Sequence, residues 1–504
     1  MTQPEAIELL TRVLDPETWT RWDDPVEPPA DADPEYLAAL RRSTDRTGLD
    51  EAVITGEGRI RGRRIAMVAI DFGFLGGSIG AVAAERLTVA VERATAKGMP
   101  LFAATASGGT RMQEGTAAFM QMVKVTAAVY RHRLAGGPYV VYLRQPSTGG
   151  VFASWGSLGH VTLAEPGALI GFVGPRVYEA LEGRPFPAGV QTTENLVDHG
   201  IVDAAVAPAN LPFVMVRILD VLAARGEVLP RLPPSVQVAP MPDVSAWESV
   251  QRSRRPDRPG VRDLLTESAT DVTLLSGTGA GEREHNLVLA LAKFSGAPCV
   301  LLGQDRRAEA AKHRLGPAGL RVARRGLRLA ADLRIPLLTV VDTAGASMSR
   351  EAEEGGLSGE IARCLAEMVT LPAPTLCLLL GQGAGGAALA LAPADRIVAA
   401  QHAWLSPLQP EGSSTILYRT PDRAAELAER QGVRAADLLR NGIVDQVVPE
   451  LPDAADEPQA FLERLSRVLA EELVGLLRRD PAERSAGRLE RYRYLGRCSP
   501  DESA

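Results

Sequence analysis

Cysteine is scarce in this chain of 504 residues, which has only four, namely Cys299, Cys364, Cys377 and Cys498. No two of them have the C-x-x-C spacing of a zinc ribbon or of a thioredoxin-type redox motif, so neither site is expected. So few cysteines in so long a chain are typical of the reducing cytosol. The polar N-terminus also has no signal-peptide core. The sequence therefore predicts a cytoplasmic protein.

The chain also lacks an excess of basic residues and a long apolar run. Its 55 Lys+Arg and 62 Asp+Glu give a formal net charge of -7, which argues against general nucleic-acid binding. The longest uncharged stretch, residues 375–392, is near the lower limit for a membrane span. It contains four glycines and lies between Pro374 and Pro393. This stretch predicts a buried strand–turn–helix, so neither nucleic acid nor a membrane is expected as a partner.

The usual catalytic motifs are missing as well. The six histidines show no H-x-x-x-H spacing, and there is no G-x-S-x-G elbow, Walker A motif or correctly spaced dinucleotide fingerprint. Four carboxylates are conceivable acids or bases, although helix caps and ion pairs are the commoner role of such groups: Glu114, Glu165, Asp203 and Asp342. The sequence therefore points to backbone N–H groups and to a reactant that brings its own base.

What the sequence does contain is an internal repeat. Three features of the first half recur 236 residues later, and the His199–Asp203 segment recurs after 242 residues as Asn441–Asp445. The three features are the strand that opens at Pro100-Leu101 and ends at Gly108-Gly109, the proline at 138 and the glycine pair at 149–150. A nearly constant offset over so many positions indicates a duplicated domain.

Within each half, strand-like runs alternate with helical periodicity, which predicts an α/β fold with a largely parallel sheet. The predicted elements are strands 65–71, 101–106, 336–341 and 375–380, and helices 79–97, 115–134, 357–369 and from about 385. The predicted domains are an N-terminal extension (1–48), a first domain (49–228), a proline-rich linker (229–260), a second domain (261–480) and a tail (481–504).

Each half has two glycine-rich turns between a strand and a helix. They span residues 106–110 and 147–151 in the first half, and 343–346 and 383–387 in the second. Glycine allows the backbone to approach a ligand closely, and free N–H groups at a helix start favour negative charge. Such groups can stabilise an oxyanion or enolate. The alternative is that these turns serve only close helix–strand packing.

The motifs around these turns resemble two known proteins. Residues 105–115, 121–124, 148–151 and 164–177 resemble the β carboxyltransferase subunit of bacterial acetyl-CoA carboxylase. Residues 342–346, 353–356, 381–390 and 406–412 resemble the α carboxyltransferase subunit. The resemblance covers about residues 48–450, with both subunit types in one chain.

The resemblance implies an α/β fold of two tandem crotonase-like (ClpP-like) spiral domains related by duplication. It also implies transfer of a carboxyl group from carboxybiotin to the α-carbon of an acyl-CoA, with acetyl-CoA giving malonyl-CoA. Carboxybiotin would release CO2 and leave a biotin anion as the base. By motif position, Gly149 and Gly150 would hold the thioester oxygen, and Gly385, Gly386 and Ala387 the biotin oxygen. The implied substrate-binding residues are Gly108, Gly109, Arg111, Lys124 and Gly345.

The resemblance also implies partners. The four lysines, Lys97, Lys124, Lys293 and Lys312, are not flanked by two methionines, so biotin must come from a separate biotin carboxyl carrier protein. Without an ATP-grasp signature, biotin carboxylation requires a biotin carboxylase subunit. In the family the cleft forms between halves of different chains, which implies a homo-oligomer. Basic residues at 306–307, 312–314 and 321–328 are candidates for CoA phosphates or the carrier, or form a solvated helix face.

Three departures from the family pattern stand out. Residues 1–48 contain no cysteine, so the zinc ribbon of the β subunit is missing and no structural metal is expected. Ala344 occupies a position where the α subunit has proline, and residues 347–350 replace a Gly/Pro-containing stretch. The two subunits are fused.

Other functions remain open from sequence alone. A malonate or acyl-CoA decarboxylase-type carboxyltransferase would share the glycine turns, and a catalytically silent scaffold subunit of a carboxylase complex would keep them without transfer activity. A crotonase-type hydratase is disfavoured because its catalytic carboxylates have no clear counterpart here.

Overall fold

The structure is a computed structural model that describes residues 3–24, 33–224, 241–311 and 313–494. The chain divides into two compact units. Unit 1 comprises Met1–Ala223 with Leu275–Glu282, and unit 2 comprises Ala224–Leu274 with Arg283–Ala504. Residues 229–240 of the predicted linker and 495–504 of the predicted tail lie outside the described residues.

Unit 1 is built on a sheet whose strands follow the order β1-β2-β3-β4-β5-β6-β8, with β7 also paired to β5. Strands β3, β4 and β5 are buried along most of their length, and their β-branched, alanine and aromatic side chains form the core. The strands are β1 (Thr20–Arg21), β2 (Val53–Ile60), β3 (Arg63–Ile70), β4 (Leu101–Ser107), β5 (Tyr139–Thr148), β6 (Val161–Ala164), β7 (Ile170–Gly171) and β8 (Ala204–Ala205).

The helices of unit 1 connect these strands and cover the sheet. The α-helices are α1 (Glu5–Val13), α2 (Pro34–Thr47), α3 (Ala81–Ala96), α4 (Gly115–Leu134), α5 (Pro175–Glu182), α6 (Thr193–Asp198) and α7 (Leu211–Leu222). Short 3-10 helices lie at Leu75–Gly77, Met112–Glu114, Trp155–Ser157 and Pro208–Asn210. Helix α2 lies in the predicted N-terminal extension and has a strong start signal, because the Asp33 side chain accepts the N–H groups of Glu35 and Tyr36.

Unit 2 has a second sheet, in the order β15-β14-β13-β12-β11-β10-β9. Its interior strand β13 reads Thr-Leu-Cys-Leu-Leu-Leu-Gly-Gln-Gly and is almost entirely buried, as expected of a parallel strand covered on both faces. The strands are β9 (Ala269–Leu275), β10 (Leu287–Phe294), β11 (Ala297–Gln304), β12 (Leu337–Thr343), β13 (Thr375–Gly383), β14 (Arg396–Ala400) and β15 (Gln446–Val448).

The helices of unit 2 include the long amphipathic helices α11 and α18, which bury their leucine-rich faces. The α-helices are α8 (Ala246–Ser253), α9 (Val261–Ser268), α10 (Arg306–Ala310), α11 (Pro317–Leu333), α12 (Arg350–Glu354), α13 (Leu357–Thr370), α14 (Gly385–Leu389), α15 (Pro410–Tyr418), α16 (Ala424–Gln431), α17 (Ala435–Arg440), α18 (Pro458–Arg478) and α19 (Pro481–Tyr494). A 3-10 turn lies at Pro421–Arg423.

The strand registers confirm the predicted duplication. In unit 1, Leu101 pairs with Tyr139 and Ser107 with Ser147, across a bulge after Thr105. In unit 2, residues 337 and 375 pair, as do 343 and 383, across a bulge after residue 341. Each pairing repeats at an offset of 236. Even the isolated bridge between Ile79 and Thr110 recurs between residues 315 and 346.

The predicted parallel core is confirmed, but each sheet also carries an antiparallel hairpin that the sequence analysis did not predict in full. These hairpins are β2–β3 and β10–β11. The predicted strand–turn–helix at residues 375–392 is confirmed as β13 followed by α14. None of the helices in the described residues is long and apolar enough to cross a membrane.

Candidate active site

The two glycine turns of unit 1 lie side by side. Strands β4 and β5 are adjacent and parallel, so the turns that follow Ser107 and Thr148 emerge at the same edge of the sheet. A Cβ atom placed on Gly109 would lie 3.1 Å from the backbone nitrogen of Gly150, and one on Gly149 would lie 3.0 Å from the carbonyl oxygen of Gly108. The structure thus brings four of the predicted site residues into contact. The close approach of the two chains requires glycine there.

The backbone hydrogen bonds show which N–H group at these turns is available. The N–H of Gly108 donates to the carbonyl of Gly76 at 2.9 Å, and that of Gly149 donates to Phe172 at 3.0 Å. The N–H of Gly109 donates to a serine hydroxyl at 3.0 Å. Within the described ranges, only the N–H of Gly150 among these four has no acceptor in the chain. Gly149, with φ at +66°, makes the turn that leaves this donor free.

Unit 2 repeats this arrangement after β13. The N–H of Gly385 donates to the carbonyl of Ser406 at 2.9 Å, and the φ of Gly385 is again +66°. Gly386 and Ala387 follow in the first turn of α14, where helical N–H groups have no intrahelical partner. In the part of the chain that the structure describes, neither N–H has an acceptor. Gly385 therefore shapes the turn, while Gly386 and Ala387 supply free donors.

The turn after β12 is fixed by hydrogen bonds to three other segments of the chain. The N–H of Ala344 donates to the carboxylate of Glu309, with N–O distances of 2.9 and 3.2 Å. The carbonyl of Ala344 accepts from Gln409 at 3.0 Å. The carbonyl of Thr343 accepts from the N–H of Ala384 at 3.1 Å. Gly345, the predicted binding residue of this turn, has φ at +129° and open space where a Cβ would stand.

Glu309 is the residue at this site that the sequence analysis missed. Burial is the main cause that raises its pKa to about 7; the N–H of Ala344 acts in the opposite direction, and nearby Asp342 raises the pKa further. The signal that was available was Ala344 itself, since an alanine in place of proline introduces an N–H group that requires an acceptor.

Arg111, a predicted substrate-binding residue, is buried and bonded within the chain. Its side chain is 1% exposed and forms a bidentate ion pair with Glu51, with one N–O distance of 2.8 Å. It also donates to the carbonyl of Ser78 at 2.7 Å. Burial alone would lower the pKa of Arg111, but the bonded Glu51 carboxylate outweighs it, and the pKa is raised. These contacts indicate a role in fixing the loop before α4.

Several of the other predicted cations form ion pairs within the chain. Lys124 lies on α4 and forms a surface ion pair with Glu85 at 2.7 Å. In the two basic clusters, Arg306 pairs with Asp342 at 3.2 Å. Arg307 pairs with an aspartate of α9, and Arg321 and Arg324 pair with glutamates of α13. Lys312 lies outside the described residues.

The four candidate carboxylates accept hydrogen bonds or form ion pairs within the chain. Glu114 accepts the N–H of Ala81 at 2.6 Å and so caps α3. Glu165 accepts the N–H of Gln145, and Asp203 accepts two backbone N–H groups. Asp342 is buried, and burial raises its pKa, although Arg306 opposes this. These contacts agree with the interpretation as caps and ion pairs.

Among the described residues, no group of three or more histidine, cysteine, aspartate or glutamate side chains could hold a metal ion. The described cysteines, Cys299, Cys364 and Cys377, are buried and free. Burial raises the pKa of Cys364 and of Cys377 to about 12, so these thiols are unreactive.

A comparison with solved structures tests the predicted fold. Two parallel-core sheets related by duplication agree with the predicted crotonase-like fold. The solved structure of transcarboxylase 12S, described as a hexamer assembly with methylmalonyl-coenzyme A bound, superposes with a TM-score of 0.72 at 22% identity. It covers 91% of this chain and 89% of that one. This likeness confirms the predicted fold.

The sequence comparisons give the family. The Carboxyl transferase domain family matches residues 31–481. The probable biotin-dependent acyl-coenzyme A carboxylase beta3 subunit of Mycobacterium tuberculosis is 59% identical over 98% of this chain and 99% of its own length. The acetyl-coenzyme A carboxylase carboxyl transferase subunits beta/alpha of Salinispora arenicola are 38% identical over 98% of this chain and 90% of their own length. The chain therefore belongs to the carboxyl transferase family of biotin-dependent acyl-CoA carboxylases.

Proposed function

We propose that this carboxyltransferase moves the carboxyl group from carboxybiotin, held on a separate carrier protein, to the α-carbon of acetyl-CoA to give malonyl-CoA. In this proposal one chain combines a β-type half and an α-type half and works with a biotin carboxylase subunit. The observation that supports it most is the free N–H of Gly150 at one glycine turn, repeated in unit 2 by the free N–H groups of Gly386 and Ala387.

Backbone donors fit the charges that this reaction develops. Gly150 would donate to the thioester oxygen as the acyl-CoA becomes an enolate, and Gly386 and Ala387 would donate to the ureido oxygen of biotin. Carboxybiotin supplies the CO2 and, at N1′, the base for the α-proton. The protein then needs no carboxylate as a base, which agrees with the structural bonds of Glu114 and Asp203.

The test is carboxyl transfer with defined substrates. The purified protein would be assayed for exchange between malonyl-CoA and biocytin, and for net carboxylation of acetyl-, propionyl- and butyryl-CoA with a carboxylated carrier. Preferred carboxylation of acetyl-CoA would support the proposal. Preference for a longer acyl-CoA would correct the substrate, loss of CO2 alone would indicate a decarboxylase, and absence of exchange would indicate a scaffold.

We also propose a homo-oligomer, with activity lost on dissociation. Helix α4 carries Phe119, Met120 and Val123 on its surface, each more than half exposed in the single chain. Apolar surface of this kind commonly marks an interface. Sedimentation and activity should be measured on the same diluted samples, and a fully active monomer would contradict this prediction.

A further inference from the structure

The two units differ at one matched hydrogen bond beside the glycine turns. In unit 1 the N–H of Gly108 donates to a backbone carbonyl, that of Gly76, at 2.9 Å. The residue 236 positions later is Ala344, and its N–H donates to the side-chain carboxylate of Glu309. A carbonyl cannot ionise, whereas a carboxylate can. Unit 2 therefore has a titratable group where unit 1 has none.

A single peptide group connects this carboxylate to the second glycine turn. The peptide between Thr343 and Ala344 donates its N–H to Glu309 at 2.9 Å and accepts the N–H of Ala384 at its carbonyl, at 3.1 Å. Ala384 immediately precedes Gly385. A negative acceptor on one side of a peptide strengthens the hydrogen bond on its other side, so the charge of Glu309 acts on the backbone that positions the free donors.

We propose that Glu309 is a positioning residue of the carboxyl-transfer site, whose ionised carboxylate holds the Thr343–Ala344 peptide and, through it, the start of the Gly385–Gly386 turn. The inference rests on the proposed function, since that assigns Gly386 and Ala387 to the biotin oxygen. Protonation of Glu309 leaves a neutral and weaker acceptor. The site would then be less well ordered for the biotin half of the reaction, while unit 1 would keep its binding of acyl-CoA.

Burial and the charged groups around Glu309 together set the pH at which its carboxylate is protonated. On β12, Asp342 raises the pKa of Glu309, and on the loop after α10, Arg314 lowers it. Arg306, at the start of α10, is bonded to Asp342 at 3.2 Å. Burial dominates these effects and brings the pKa to about 7, from an ordinary value of 4.5. The carboxylate therefore gains a proton as the pH falls through neutrality.

The test compares wild type with Glu309→Gln between pH 6 and pH 8, by exchange between malonyl-CoA and biocytin. Glutamine keeps an oxygen acceptor but cannot ionise. The wild-type rate divided by the variant rate should rise from about 2 at pH 6 to about 10 at pH 8, because a charge-assisted hydrogen bond is roughly twice as strong as a neutral one. The KM for malonyl-CoA should be unchanged, and the KM for biocytin should rise.

A second variant acts on the other partner of the bond. Ala344→Pro removes the N–H group, and the α subunit that this half resembles has proline there. This variant should lose the same pH dependence, and adding Glu309→Gln to it should cause no further loss. As a control, Glu354→Gln alters an exposed glutamate paired with Arg350, and its rate ratio to wild type should stay at 1.

Thermal unfolding provides a readout that is independent of activity. Because folding raises the pKa of Glu309, its contribution to stability is present below about pH 4.5 and is lost as the pH rises through 7. Relative to Glu309→Gln, the wild-type Tm should therefore fall across this range.

The outcomes separate this inference from the proposed function. A rate ratio that stays constant with pH in an active wild-type enzyme would overturn the role of Glu309 and leave the proposed function standing. A wild-type protein without exchange activity would overturn both.

Discussion

Replacing Gly150 by valine should reduce carboxyl transfer by about a hundredfold or more while the protein still folds. Losing one oxyanion donor costs ~3 kcal/mol of transition-state stabilisation. A Cβ atom on Gly150 would lie 3.2 Å from the Thr110 hydroxyl and 3.5 Å from Met122. This contact is tight but tolerable, and the φ of Gly150 is not in the left-handed region. Valine should therefore obstruct the approach to the N–H and rotate it, rather than unfold the turn.

The matching change in unit 2, Gly386→Val, should impair the use of biotin more than the binding of acyl-CoA. Here an added Cβ would meet the end of the Ile361 side chain at 2.8 Å, so Ile361 must shift. Rates, acyl-CoA affinity and Tm should be measured together on both variants. Gly475→Val is a suitable control, because a Cβ there meets nothing within 4 Å.

A purely structural role for these glycines predicts a different pattern, in which Tm and solubility fall and the activity per folded molecule is retained. If Gly150→Val does not fold, the smaller change Gly150→Ala provides the same test. Full activity in folded variants at both Gly150 and Gly386 would show that these N–H groups are not the oxyanion donors.

Much of the fold could be predicted because of the duplication: a pattern seen in one half could be checked against the matching residues of the other half. The strand after Pro100 and the strand after Pro336 begin with the same signal, and their registers match. The hairpin β10–β11 was harder to predict. Its first strand, Leu-Val-Leu-Ala-Leu-Ala-Lys-Phe, begins with six consecutive apolar residues, and such a run does not distinguish a strand from a helix by its periodicity.

The candidate site could be predicted only to the level of the turn. The sequence analysis singled out Gly149–Gly150 and Gly385–Gly386 by their position after strands and by the motifs around them. Which N–H in each pair is free depends on the carbonyls of Phe172 and Ser406, which accept the other one. These acceptors lie more than twenty residues along the chain, and no local pattern predicts such a partner. The burial of Arg111 likewise depends on Glu51, sixty residues earlier.

Arg111 gives the second large effect, which we expect on stability rather than on binding. Arg111→Met should lower the free energy of unfolding by about 3–5 kcal/mol, because it leaves the carboxylate of Glu51 buried without its partner. Glu51 is only 2% exposed and forms two hydrogen bonds with the guanidinium. For a unit of this size the loss corresponds to a Tm lower by roughly 10 °C.

A compensating change distinguishes this role from substrate binding. In the double variant Arg111→Met with Glu51→Leu, the unpaired charge is gone, and most of the lost stability should return. Lys124→Met serves as the matched control, since its exposed pair with Glu85 should contribute less than about 1 kcal/mol. Calorimetry would give the Tm of each variant, and steady-state kinetics the KM for acyl-CoA. If Arg111→Met kept the wild-type Tm and raised that KM alone, Arg111 would be a substrate-binding residue, as its motif position predicts. A large fall in Tm that Glu51→Leu reverses would instead show that Arg111 holds the loop on which the glycine turn of unit 1 is built.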